Sequence, residues 1–257
     1  MDIETCLDKK TLILGDVNSG KTTLCREILE DFCRQGLGGR IAVVDLAPEI
    51  PEEILRSRGL KGVGGRLLPP AGSGVVYLHV PVIAPRLTSA TEQEALEKAR
   101  RNRELIEGVF RQVEALGRDI LLVNDVSLYL QAGDPERLAG LLDRAATAVV
   151  NGYFGRTLGP GELSRREREA MEKIAAWFRA RGSVITMPHE PAASGKILVA
   201  MSGGVDSSVA ALLLAERGLD IAGLTLFRQA DGTVGYGPRD VEDAAKVCRM
   251  LGIPHHA

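Results

Sequence analysis

Residues Gly15 to Thr22, GDVNSGKT, constrain this chain more than any other stretch. They keep the spacing G-x-x-x-x-G-K-[ST], and Thr23 extends it. The run Thr11-Leu12-Ile13-Leu14 before the loop is apolar and β-capable. Lys21 to Gln35 after it reads as a helix with Leu24, Ile28, Leu29 and Phe32 on one face. Strand, glycine turn and helix in that order aim successive backbone N–H groups and a helix N-terminus at one point, which suits a phosphate. Gly15 and Gly20 permit turns and close approach that a Cβ would block, and Asn18 and Ser19 complete the loop. Lys21 is placed to reach the β- and γ-phosphates of a nucleotide, and Thr22 to offer its hydroxyl to Mg²⁺. A glycine turn that merely precedes a helix explains the letters less well, because both flanks agree with the motif.

Strands and helices alternate after the loop. Expected strands cover 40–46, 75–82, 119–125, 146–150 and 183–187. Expected helices cover 48–58, 91–116, 135–144 and 162–181, with Asp134 capping the third. In the longest, Leu96, Ala99, Leu105, Ile106, Val109, Phe110, Val113 and Leu116 recur at three- and four-residue steps. Glycine-rich loops separate these elements at 59–74 and 151–161. Such alternation predicts a parallel sheet with helices on both faces, an α/β architecture of the P-loop NTPase type. The domain reading is 1–187 for this part, 188–195 for a linker where the composition resets, and 196–257 for a second α/β piece.

Composition sets the outer limits. A hydrophobic share of 45% fills a core, and an aromatic share of 4% makes that core aliphatic. The net charge of −2 gives no general attraction to nucleic acid. Cys6, Cys25, Cys33 and Cys248 form no C-x-x-C pair, which fits reduced thiols and a cytoplasmic location. No apolar run approaches the ~20 residues of a membrane span, so no membrane partner is expected. The start, MDIETCLDKK, lacks the apolar centre of a signal peptide.

A phosphate loop works with an acid at a strand end that holds Mg²⁺ directly or through water. Asp125 closes ILLVND and Asp45 closes IAVVD. The longer apolar run and the preceding Asn favour Asp125, with Asp45 as the other candidate for the magnesium shell. Either carboxylate could instead cap the next element. Arg156, in a glycine-rich loop, could neutralise transition-state charge, although loop arginines are usually just solvated. Asp16 is unfavourable beside a triphosphate unless it points away. His79, within a strand, reads as packed rather than catalytic. The stretch VVDLAPEIP (residues 43–51) is similar to polynucleotide-kinase-like phosphate-loop proteins, without residues to carry across.

A second strand, glycine loop and helix follows. Ile197 to Met201 is the strand, then Ser202-Gly203-Gly204-Val205-Asp206-Ser207-Ser208, then a helix to Glu216 with Val209, Leu212, Leu213 and Leu214 apolar. With no lysine in the loop, hydroxyls and N–H groups would hold pyrophosphate, and Asp206 would hold Mg²⁺. The stretch VAMSGGVDSSVAALLL resembles the PP-loop of ATP pyrophosphatases that adenylate a carbonyl oxygen, and most of all the tRNA-specific 2-thiouridylases. DIAGLTLF and DVEDAAKVCRMLGIPHH are similar to that family's next strand and helix, while RQADGTVGYGPR (228–239) departs from it. The resemblance covers 196–257 and implies ATP with Mg²⁺, a tRNA substrate and a sulfur carrier. It also implies later catalytic segments beyond Ala257, where a third strand would begin. Cys248, at an apolar helix position, does not replace the family's sulfur-carrying cysteines.

These readings give an expected ATP- or GTP-binding protein, whose first loop cleaves the β–γ bond and whose PP-loop module is incomplete. The open sheet edge invites cover by a partner chain or by the first domain. The alternative is a nucleotide-dependent switch, or a P-loop kinase, without tRNA chemistry.

Overall fold

Six runs become one parallel sheet, the four inner ones apolar and buried, the two edge ones half-buried or partly exposed. In a computed structural model describing residues 6–57, 65–188, 197–226 and 237–257, these are β1 (Lys10–Gly15), β2 (Ile41–Asp45), β3 (Val76–His79), β4 (Ile120–Asn124), β5 (Thr147–Tyr153) and β6 (Gly182–Thr186). Their order is β3-β2-β4-β5-β1-β6, and every pairing is parallel. β5 therefore lies between the loop-bearing strand and β4. It also runs further than expected: Asn151, Gly152 and Tyr153, assigned to a loop from the sequence, continue the ladder opposite Ile13, Leu14 and Gly15.

Helices cover both faces. On one side α1 (Lys21–Arg34) buries Cys25, Ile28, Leu29 and Phe32 against Ile13, Val43, Leu122 and Val149. On the other, α4 (Glu92–Leu116), α5 (Ser127–Leu130), α6 (Pro135–Asp143) and α7 (Glu162–Arg181) enclose a core containing Phe110, Tyr129, Leu138, Met171 and Phe178. Phe110 and Phe178 are wholly buried, so truncating either to Ala should cost about 3–5 kcal/mol. The caps of α4 and α6 are side chains: Thr91 accepts from the Glu94 N–H at 3.2 Å, and Asp134 from the Glu136 N–H at 2.9 Å.

One helix face differs from the expected stripe. Leu105 and Leu116 stand exposed on α4, whereas the polar Asn102 is buried. Asn102 replaces an apolar residue because it pairs with an otherwise unbonded backbone, accepting from Ile83 N at 3.0 Å and donating to Ile83 O at 2.8 Å. Two short helices, α3 (Pro85–Thr88) and α5, were not expected. The helix expected at 48–58 is α2 (Glu52–Ser57), and residues 58–64 of the following loop lie outside the described residues.

The chain divides into two units, 1–189 and 190–257. Taken by itself, the second pairs β7 (Ile197–Ala200), β8 (Ile221–Leu224) and β9 (His255–His256) in parallel, with α8 (Val205–Glu216) and α9 (Pro238–Met250). β9 is the start of the third strand expected only beyond the end of the chain. Val199, Met201, Ala211, Ile221, Ala244 and Cys248 form the core. Val209, Leu212 and Leu213 are exposed in this unit, because α8 is apolar around most of its circumference and only one side meets the sheet. Most of RQADGTVGYGPR lies outside the described residues. Among the described residues, no helix is long and apolar enough to cross a membrane.

Candidate nucleotide site

The glycine loop of residues 15–20 leaves the carboxyl end of β1 and enters α1. Gly15 ends the strand, Asn18 (φ +59°) and Ser19 turn the chain, and Gly20 (φ +84°) precedes the helix. Lys21, Thr22 and Thr23 make its first turn. The Lys21 ammonium folds back across the loop, donating to the Asp16 carbonyl and, at 3.4 Å, to Ser19 Oγ. Burial pulls the Lys21 pKa down, while the Asp125 and Asp16 carboxylates oppose that shift. A cation that is half-desolvated and bonded only to neutral oxygens is well suited to a phosphate.

Asp16 does not face that space. Its carboxylate accepts from the Val17 N–H at 2.7 Å and the Arg156 N–H at 2.9 Å, so it braces the loop against the segment after β5. Burial pushes its pKa up, but these N–H groups and Thr157 outweigh burial and hold it below the usual range. A Cβ on Gly155 would lie 2.2 Å from Asp16 Cγ, so only glycine lets the two segments meet.

Beyond the loop, the strand ends form a buried polar chain. Thr22 Oγ1 lies 3.5 Å from Asn124 Oδ1, which also accepts from Asn151 Nδ2 at 2.8 Å. Asn124 Nδ2 donates to Asp45 Oδ1 at 2.7 Å and to the Gly65 carbonyl at 2.9 Å. Asn151 joins β5 to the next residue as well, accepting from Asp125 N at 3.0 Å. The sequence reading missed Asn151 and noted Asn124 only as the residue before Asp125. Buried polar residues inside apolar strands have no periodicity of their own, and the Asn before Asp125 was the one available signal.

The two acids occupy different environments. Asp45 is fully buried, and four donors fill its carboxylate: Asn124 Nδ2, Ala47 N (3.1 Å), Leu67 N (2.8 Å) and Tyr77 OH (2.8 Å). Asp125 lies one residue past β4, not within it, with φ +59°, and is half-buried. Ser127 Oγ donates to its Oδ1. Desolvation raises the Asp125 pKa, against the pull of Ser127 and Lys21. His79 is half-buried on β3 with Nε2 3.3 Å from Arg66 Nη2, outside this cluster of contacts.

In the second unit, Ser202 through Gly204 link β7 to α8. Ser207 Oγ accepts from Ser202 N at 3.2 Å, and Ser208 Oγ donates to the Gly204 carbonyl at 2.7 Å. Gly203 has φ +77°, and a Cβ there would meet the Asp240 carbonyl of α9 at 2.9 Å, so the loop needs glycine on both counts. Val205 and Asp206 are exposed at the start of α8.

Comparisons with known proteins bear on this second unit. The family model for the tRNA methyl transferase HUP domain matches residues 195–257. The tRNA-specific 2-thiouridylase MnmA 1 of Syntrophus aciditrophicus is 47% identical over 81 residues, which cover 30% of this chain and 22% of that protein. MnmA of Hydrogenobaculum sp. is 55% identical over 64 residues, 23% of this chain and 19% of that protein. The chain thus spans about a fifth of the length of these curated relatives. Among solved structures, the flagellar accessory protein FlaH of Methanocaldococcus jannaschii aligns at 12% identity and a TM-score of 0.33, covering 64% of this chain and 68% of that one. So low a score carries no argument. Residues 195–257 are therefore similar to the PP-loop portion of tRNA 2-thiouridylases.

Proposed function

We propose that the first unit binds a purine nucleoside triphosphate with Mg²⁺ at Gly15 to Thr23 and cleaves its β–γ bond. The observation that carries this reading is the contact between Thr22 and Asn124. It brings the loop's hydroxyl to the end of β4, beside which Asp125 sits. The ordering of groups follows from their chemistry. Backbone N–H groups of 15–20 and the α1 N-terminus hold the phosphates, and Lys21 neutralises charge on the β- and γ-oxygens. Thr22 Oγ1 and Asp125 hold Mg²⁺, which supplies further neutralisation when bound. Asp125 suits this role better than Asp45, because only one Asp125 oxygen receives Ser127 whereas Asp45 is saturated by four donors. Asp45 orients Asn124 instead.

For the second unit, the resemblance supports an ATP-binding PP-loop, with the Ser202–Gly204 turn and Ser207 and Ser208 near the pyrophosphate and Asp206 toward Mg²⁺. Transfer of sulfur to tRNA through adenylation needs an acceptor pocket, a sulfur carrier and partner segments beyond the two helices described. Phosphate release is expected from the first unit.

Calorimetry and product analysis test the first reading. Lys21→Ala should weaken ATP binding at least tenfold, about 1.4 kcal/mol, and abolish phosphate release. Unchanged affinity in that variant refutes it. Binding without any phosphate release in the unaltered protein favours a nucleotide-dependent switch. Pyrophosphate release lost in Asp206→Ala moves the chemistry to the second unit.

A further inference from the structure

Beside the phosphate loop lies an open cleft of about 470 Å³, and of the readings above only the transition-state role weighed for Arg156 touches it. Its back wall begins where the loop begins. Tyr153 pairs with Gly15 in register, Phe154 N donates to the Gly15 carbonyl at 2.9 Å, and Arg156 N donates to Asp16. The lining includes four arginines, Arg86, Arg156, Arg165 and Arg168, and one carboxylate, Glu167.

These arginines are not equivalent. Arg86 pairs with the buried Glu167 and lies over the Tyr153 ring at 5.5 Å. Gln131 Nε2 supports Glu167 from behind at 2.8 Å, which fixes the pair. Arg168 donates to the Gly155 carbonyl at 2.7 Å and covers Phe154 at 4.8 Å. Arg165 is held by Glu162 and Glu169. Among the described residues, no hydrogen bond or ion pair engages the Arg156 guanidinium, although its backbone is fixed by Asp16. One cation is thus left over on a braced backbone, flanked by arginines already held by carboxylates, aromatic rings and one carbonyl.

We propose that this cleft is a second anion site that takes a small phosphorylated molecule alongside the triphosphate. The charge favours a phosphate group, since fork-shaped guanidinium donors match its oxygens and Arg156 has no internal anion to satisfy. The volume lies within the roughly 300–1,000 Å³ of small-molecule sites, which favours a metabolite over a polymer. Binding in the cleft does not depend on the triphosphate reading; only the pairing of the two ligands rests on it.

The test uses the full chain and calorimetry with glycerol phosphate, inorganic phosphate and succinate. In Lys21→Ala, which silences the phosphate loop, glycerol phosphate or inorganic phosphate should still bind. Arg156→Gln should weaken that binding roughly tenfold or more, since a charge-assisted contact is lost. Arg101→Gln, a distant charge control, should leave it unchanged. Whichever of the two phosphate probes binds more tightly identifies the ester or the free ion as the natural form. The proposal fails if neither binds, if succinate binds equally well, or if Arg156→Gln has no effect. ATP binding without cleft binding sinks this proposal and spares the nucleotide reading; cleft binding without ATP binding does the reverse.

Discussion

Replacing Asn124 by Ala removes the centre of the polar chain at the strand ends. Two donations vanish, to Asp45 Oδ1 (2.7 Å) and Gly65 O (2.9 Å), together with the acceptor that meets Asn151 Nδ2 (2.8 Å) and Thr22 Oγ1 (3.5 Å). Asp45 keeps three other donors. The Gly65 carbonyl and the Asn151 amide lose their principal partners, and Asn151 retains only a weak contact to Cys25 Sγ at 3.2 Å on that side. Each buried group left unmet costs about 1–3 kcal/mol, and a water entering the gap recovers part of it. The expected loss is therefore about 2–4 kcal/mol, or a Tm lower by roughly 5–15 °C. Trp177, the single tryptophan, lies in α7, so its fluorescence during urea unfolding follows the first unit alone. Asn124→Asp is the sharper variant, because it sets a second carboxylate beside Asp45. The charge of Asp45 raises the folded-state pKa of the new carboxyl, so stability is fullest below the unfolded carboxyl value of about 4 and declines as pH rises through the folded one. A loss under about 1 kcal/mol for Ala, or an Asp variant without pH dependence, refutes the reasoning.

Asp125→Asn should lose phosphate release yet match or exceed the original stability at pH 7. Burial raises the Asp125 pKa, so its charged form weakens the fold as pH rises through that value, and the neutral amide escapes the cost. Asp45→Asn should instead unfold the unit more readily, because the carboxylate gathers four donors; paired melts and phosphate assays separate the two, and a more stable Asp45→Asn contradicts the assignment. Cys25, whose thiol burial pushes up to about 12, should resist iodoacetamide at pH 8 until urea is added, as peptide mass mapping would show.

The alternation of apolar runs and helical stripes made the parallel sheet legible, because buried parallel strands cannot hide among polar residues. The order of those strands was not legible. Nothing in TAVVN marks β5 as the strand that slips between β1 and β4, since that is decided by crossover packing. The loop itself could be read because its chemistry is local, eight residues with fixed spacing. Its supports could not: Asn124, Asn151 and Tyr77 act through contacts across tens of residues. Leu105 shows the opposite failure, a hydrophobic residue that kept the right spacing but faces water, because Asn102 took the buried place to satisfy Ile83.

The carboxylate of Asp16 has a consequence for how fast and how selectively a ligand is caught. A loop that holds a phosphate must arrange many N–H groups around one anion, and an unbraced loop would lose that arrangement whenever it emptied. Here an internal carboxylate, held ionised by the N–H groups of Val17 and Arg156, ties the start of the loop to the segment after β5 whether or not anything is bound. The anion that shapes one side of the loop belongs to the chain. Ligand capture should therefore resemble docking onto a rigid template, with little induced ordering and a heat-capacity change set by the surface covered rather than by folding of the loop.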